Sequence, residues 1–249
     1  MTCRHEEMNR IRESVAGCAA CALAESRTFA VPGEGSLAPK FVLVGEAPGK
    51  DEDACGRPFV GRCGKVLRTA LEACSVDPGD VFICNAVKCR PSRADNPMKD
   101  RPPEIDEMRP CSGFLKRQLL CLAGDGSGRT RRTVPVLAVG RTALRWFVEF
   151  AAPEDDERAR FPRTESGWKL LSVTSLVEAS IGGAPNVFRM EGDGGTPVRF
   201  EVYPIWHPGY VLNGGGGRVT RGVFAETMRA IVGRMLAGRP LAEKTLAGA

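Results

Sequence analysis

The chain has little histidine. His5 and His207 are the only two among 249 residues, so chemistry that needs an imidazole must use one of them. No apolar run approaches the ~20 residues that span a bilayer. Segment 1–12 alternates charges and lacks the apolar stretch of a secretory signal. These two absences predict a cytoplasmic protein with no membrane contact. Internal repeats are absent. The glycine-rich turn at 45–49 (GEAPG) is not followed by Gly-Lys-Ser/Thr, which excludes a Walker phosphate loop there.

What is present is ordinary for a folded chain. Hydrophobic residues make up 43% and charged residues 26%, and the length supports one sizeable core. Lys+Arg exceed Asp+Glu by 35 − 30 = +5, an excess that suits a polyanionic partner. Ten cysteines in a reducing compartment do not make a disulfide framework. Some of them should bind metal and the rest should be buried small hydrophobes.

Four nearly continuous apolar runs, 40–45 (KFVLVG), 81–87 (VFICNAV), 134–140 (VPVLAVG) and 200–206 (FEVYPIW), read as strands buried on both faces. Helical spacing occurs at 64–73, 104–122, 141–150 and 220–236. Strands alternating with helices predict an α/β fold: a three-layer α/β/α sandwich around a four-stranded, mainly parallel sheet. Pro204 inside the last run predicts an edge position or a bulge. Segment 151–198 interrupts the rhythm and reads as a surface insertion within one domain, with an extra strand at 170–177. The run Gly214–Gly217 reads as too flexible for regular structure, and 129–132 (RTRR) as a polar loop.

The unusual residues cluster at the carboxyl ends of these strands. Glu46 and Ala47 follow the first, Asn85 ends the second, Gly140 and Arg141 follow the third, and His207 follows the fourth. Ligands of open α/β sheets bind outside those ends, so the four loops should meet in one crevice. Phe59, flanked by Pro58 and glycines, suits a loop platform on which a base can stack. Asn85 interrupts an apolar strand. Its amide carries an acceptor and two donors side by side, which can match a pyrimidine edge.

Cys18-Ala19-Ala20-Cys21 is a CxxC, with Cys89 and Cys111 following after 67 and 21 intervening residues. Four thiolates suit an iron–sulfur cluster or a structural zinc. Cys111 is expected at a helix start after Pro110. Cys55, Cys63, Cys74, Cys84 and Cys121 lack ligand spacing, and Cys3 is expected in a mobile tail.

In the order CAAC, GEAPGKDED, GRPFVGRCGKVLRTALEACSV, VFICNAVKCRP, Cys111, VLAVGRTAL and VYPIWHPGYVL, the chain resembles the family 4, iron–sulfur, uracil-DNA glycosylases. The resemblance covers most of the chain except 151–198 and the C-terminal tail. It implies a 4Fe-4S cluster on Cys18, Cys21, Cys89 and Cys111. It places Glu46 and Ala47 in the loop under a flipped base, makes Phe59 the stacking residue and Asn85 the reader of the uracil edge, and brings His207 to uracil O2. A donor at O2 acts where negative charge develops on the leaving base, so His207 takes the principal electrostatic role. Tyr210, Val211 and Leu212 follow as candidate wedges into the base stack. Arg218 and Arg221, with Lys88 and Arg90, are candidates for flanking phosphates.

The chain also departs from the family pattern. Ala47 stands where a better-known branch of the superfamily has a water-activating aspartate, which leaves Glu46 to position water. Gly209 stands where serine or alanine is usual. The loop after Cys89 is long and contains no histidine, so turnover without a protein–DNA adduct is expected. The function expected is that of a monomeric, monofunctional glycosylase acting on uracil in single- or double-stranded DNA. The alternatives are release of another deaminated base such as hypoxanthine or xanthine, a weakly catalytic damage-binding protein, and a cluster-bearing electron carrier.

Overall fold

The computed structural model describes residues 2–124, 133–153, 163–164, 167–168, 173–182, 185–192 and 197–237. Four strands, β2 (Phe41–Gly45), β3 (Val81–Asn85), β4 (Val134–Val139) and β9 (Pro197–Ile205), run parallel in the order β3-β2-β4-β9. These are the four apolar runs of the sequence. Every residue of β2, β3 and β4 is buried, as a strand covered on both faces must be.

Among the described residues the sheet has seven strands rather than four. The short β1 (Glu34–Gly35) pairs antiparallel with β3 at one edge. At the other, β8 (Asn186–Glu191) pairs antiparallel with β9, and β5 (Ala152–Pro153) with β8. These additions lack a long apolar run: β8 alternates buried and exposed residues along half its length. A separate two-strand hairpin joins β6 (Arg163–Thr164) to β7 (Gly167–Trp168).

Alternate residues of the parallel strands feed two cores. Val42, Val44, Phe82, Val136 and Val202 face α1 (Thr2–Ala16), α5 (Ile105–Ala123) and α6 (Arg141–Phe150). Phe41, Leu43, Ile83, Leu137 and Tyr203 face α4 (Arg62–Glu72), α7 (Val173–Gly182) and α9 (Arg221–Leu236). The three-layer arrangement follows from this two-residue alternation. Helix α1 carries Met8, Ile11 and Val15 at helical spacing, all fully buried. The charge-alternating N-terminus is thus the exposed face of a packed helix, and Cys3 lies within α1 rather than in a tail.

Other expectations change. Segment 151–198 is partly built into the body, since β8 extends the main sheet and Val177 and Phe188 enter the core. Residues 173–177 open a helix instead of a strand. Most of the connecting residues of this segment, like 129–132, lie outside the described residues. Pro204 sits in β9 between two neighbours, opposite Ala138. The Ile205 carbonyl accepts from the Gly140 N–H on the β4 side, so the Pro204 nitrogen faces the β8 side. Among the described residues β8 ends there, at Asn186 opposite Val202, so none of them pairs with Pro204. Gly214–Gly217 is ordered as a tight turn with φ of 89°, 56°, 60° and 75°, a left-handed succession open only to glycine.

Helix α4, downstream of β2, packs on one face, whereas α6, after β4, packs on the other. Adjacent strands whose helices diverge open a crevice at their carboxyl ends.

Candidate active site

The crevice holds a cavity of about 350 Å³ lined by Glu46, Ala47, Phe59, Asn85 and His207, among others. Residues from four separate stretches of chain therefore share one space, and the loops after β2, β3 and β9 deliver them.

Phe59 and Asn85 meet over Gly45. Gly45 is in register with Asn85, and a Cβ at position 45 would lie 2.3 Å from Asn85 Oδ1 and 2.4 Å from Phe59 Cζ. The glycine is required by space: any side chain there would push the ring or the amide away. Phe59 itself has φ 54°, a left-handed conformation that a phenylalanine adopts at a cost of about 1–3 kcal/mol. Its surroundings hold it. Arg68 donates to the Phe59 and Pro58 carbonyls at 3.1 and 3.2 Å. Gly64 of α4 presses so close that a Cβ would fall 1.9 Å from the Phe59 carbonyl oxygen.

Asn85 is 2% exposed as a residue, and its side-chain amide makes no hydrogen bond to any described residue. The amide lines the cavity, so its acceptor and donors are open to a ligand entering there. His207 Nδ1 accepts from the Gly209 N–H at 3.1 Å. That bond assigns the proton of the neutral ring to Nε2, which has no described protein partner. Burial pushes the His207 pKa below its ordinary value, against the opposing pull of the Glu46 and Glu52 carboxylates. The ring is therefore a neutral Nε2–H donor at neutral pH. The Glu46 carboxylate accepts from the Thr142 hydroxyl at the start of α6, which orients it at the cavity wall.

Glu52 was not singled out in the sequence. It lies in α3 (Lys50–Cys55), is nearly buried, and accepts from the Gly49 N–H at 3.1 Å and the Gly61 N–H at 2.9 Å. One carboxylate thus ties the Glu46 loop to the Phe59 loop. The signal was available, because Gly49 and Glu52 have capping-box spacing. Glu52→Ala is expected to lower kcat/KM by about 10²-fold through loss of alignment, with Phe59 and Glu46 still present. Steady-state rates beside a melting curve check this. Cys63, set aside as a non-ligand, also lines the cavity.

Lys88 does not reach a DNA surface. It is 1% exposed, and its Nζ donates to the Asn85 carbonyl at 2.8 Å and to Gln118 Oε1 at 2.6 Å. The apolar stem is buried because residue 88 lies in the buried stretch Ala86–Cys89 that follows β3, and the ammonium braces the backbone of Asn85. Arg90 is engaged as well, with Asp100 at 2.6 Å and the Pro97 carbonyl at 2.9 Å. These bonds shape the loop after Cys89, leaving Arg90 a loop brace rather than a free phosphate donor. Tyr210 is 43% exposed in α8 (Pro208–Leu212), next to His207. Arg218 is exposed beyond the glycine turn, and Leu212 and Arg221 line a neighbouring groove.

The four expected cysteine ligands lie together on the opposite side of Lys88. Cys18, Cys21, Cys89 and Cys111 line one small cavity with Pro110 and Phe114. Cys18 and Cys21 stand between α1 and α2 (Leu23–Ser26), Cys89 follows β3, and Cys111 sits in α5. Helix α5 begins at Ile105, before Pro110 rather than after it. The proline, near the helix start, removes a single backbone bond. Arg27 donates to Cys89 Sγ at 3.1 Å, and the Lys88 N–H to Cys111 Sγ at 3.3 Å. Both donors favour thiolates. Burial pushes the Cys111 thiol up to about 11, which a bound cation would reverse. Among the described residues no group of three or more His, Cys, Asp or Glu is already gathered around a metal position. Among them, too, no helix is long and apolar enough to cross a membrane.

Residues 32–225 match the family described as the uracil DNA glycosylase superfamily. A type-4 uracil-DNA glycosylase of Thermotoga maritima is 33% identical over 92% of this chain and 96% of its own length. Those of Sulfurisphaera tokodaii and Pyrobaculum aerophilum are 44% and 42% identical over 46% and 55% of this chain, which is 50% and 64% of their own lengths.

Proposed function

This chain belongs to the uracil DNA glycosylase superfamily, and from that premise we propose that it hydrolyses the N-glycosidic bond of uracil in DNA. The products are free uracil and an abasic site. The observation that carries the reading is the unpartnered Asn85 amide facing the same cavity as the Phe59 ring and the Nε2–H of His207.

The base must leave the stack to enter this cavity, at a cost of a few kcal/mol. Stacking on Phe59 returns about 1–3 kcal/mol of that. Asn85 pairs with the N3–H and O4 edge, an arrangement that cytosine presents reversed. As the bond to the sugar breaks, charge grows on the base and His207 Nε2–H donates to O2. Glu46, oriented by Thr142, positions the water that attacks the sugar carbon, the place taken elsewhere in the superfamily by the carboxylate missing at Ala47. The loop after Cys89 offers no histidine as nucleophile, so the abasic product is released without an adduct. The protein acts as a monomer.

We further propose that Cys18, Cys21, Cys89 and Cys111 hold a 4Fe-4S cluster. Four cysteine sulfurs in one apolar cavity, with N–H donors aimed at two of them, are the donor set such a cluster takes. When bound it links the N-terminal segment, the end of β3 and α5; the base-releasing steps belong to the other cavity.

Purified protein on single- and double-stranded oligonucleotides carrying uracil, hypoxanthine or xanthine, followed by alkaline cleavage, tests the reading. Strand breaks at uracil are expected. Their absence for every base removes the enzyme, and breaks at hypoxanthine or xanthine alone move the specificity.

A further inference from the structure

We propose that the groove between α4 and α9 seats a second nucleotide, the unpaired neighbour of the extruded one on the same DNA strand. This deepens the glycosylase reading and rests on it. The groove has a volume of about 310 Å³, at the small end of ligand sites and suited to one nucleotide. Val66, Leu212 and Ala225 make its apolar wall, with Phe224 buried behind them, while Arg62, Lys65 and Arg221 are its cations. No carboxylate is among the described residues that line it.

Two observations turn this groove from a surface dent into a seat. First, the side chains of Arg62, Lys65 and Arg221 make no hydrogen bond or ion pair with any described residue. Nearby arginines are occupied: Arg57 and Arg68 by Glu34, Arg90 by Asp100, and Arg101 by Glu107. Three free cations around a groove without carboxylates call for an anion from outside. Second, Arg62 lines both this groove and the catalytic cavity. A strand whose base sits on Phe59 passes its phosphate over Arg62 and reaches the groove with its next residue.

The apolar wall identifies what enters. A phosphate alone gains nothing from Val66 and Leu212, whereas the apolar face of a base does. Arg62, Lys65, Val66 and Thr69 fall on one stripe of α4, at helical spacing, so cations and apolar contacts serve the same nucleotide. In a duplex the neighbouring base is held by its partner strand. Filling the seat therefore requires an unpaired neighbour, and the groove gives single-stranded or frayed DNA the tighter binding.

The full chain and two exposed positions outside the catalytic cavity test this. Lys65→Glu removes a cation and Thr69→Trp fills the groove. Each is expected to raise KM on single-stranded uracil DNA by about fivefold or more, the scale of one small apolar contact face lost, with kcat unchanged. On duplex DNA Thr69→Trp should leave KM unchanged, and likewise on single strands whose adjacent nucleotides lack a base. An unchanged KM on ordinary single strands, or an equal rise on all three substrates, overturns the proposal. Titration of a fluorescent oligothymidylate without uracil separates this from the glycosylase reading. If the wild type releases no uracil from anything, weaker oligothymidylate binding by Thr69→Trp still supports the seat, and equal binding removes it.

Discussion

Replacing His207 with alanine is expected to lower kcat by about 10²–10³, the effect of removing one preorganised donor from a developing anion. Folding should survive. In the native chain Nδ1 caps the Gly209 N–H at the start of α8, and losing such a cap costs about 1 kcal/mol. That is small beside the ~5–15 kcal/mol of a whole domain. Single-turnover rates on a uracil oligonucleotide, with a melting curve for the same preparation, separate the two effects; a wild-type rate removes the histidine from the mechanism. The pH profile carries the same claim. Burial holds the His207 pKa below the ordinary 6.5. The active, neutral form therefore persists through neutrality and is lost only as the pH falls through that lowered value. Protonation would place a hydrogen on Nδ1, facing the Gly209 N–H. His207→Ala should abolish this acid limb as well as lower the rate.

The second large effect is expected at the cysteines. Cys89→Ala should abolish the broad visible absorbance of an anaerobically purified protein and lower Tm by about 10 °C or more. The reason is topological. Cys18 and Cys21 lie beyond α1, Cys89 beyond β3 and Cys111 inside α5, so the four thiols bring three otherwise separate parts of the chain to one point. Binding that requires the folded arrangement stabilises the fold by the binding free energy itself. The same substitution lies one residue from Lys88, whose ammonium braces the Asn85 carbonyl. Activity should therefore decline along with stability, in contrast to His207→Ala, where the rate falls and stability drops by only about 1 kcal/mol. A colourless wild type, or an unmoved melting curve for Cys89→Ala, refutes the assignment.

Much of this was readable along the chain. Continuous apolar runs marked the four parallel strands, because a strand covered on both faces tolerates no alternation of polar residues. Asn85 stood out because an amide inside such a run must be satisfied by something. The edge strands β1, β5 and β8 did not stand out: two are only two residues long and β8 has two exposed residues among its six. Pro204 was misleading, since where β8 stops depends on a strand elsewhere in the chain.

Lys88 and Arg90 show the limit most clearly. In sequence both are cations beside a cysteine, equally fit for phosphates. In space one is buried against Gln118, 30 residues later, and the other is paired with Asp100. Sequence alone determined the residue types, their order, and the strand ends at which they fall, because these depend on local periodicity and turn chemistry. Only the tertiary structure decided which cations remain free, that Glu52 joins two loops, and that Gly45 leaves room for ring and amide together. Those are contacts between distant segments, and packing distance has no counterpart in the spacing of residues along a chain.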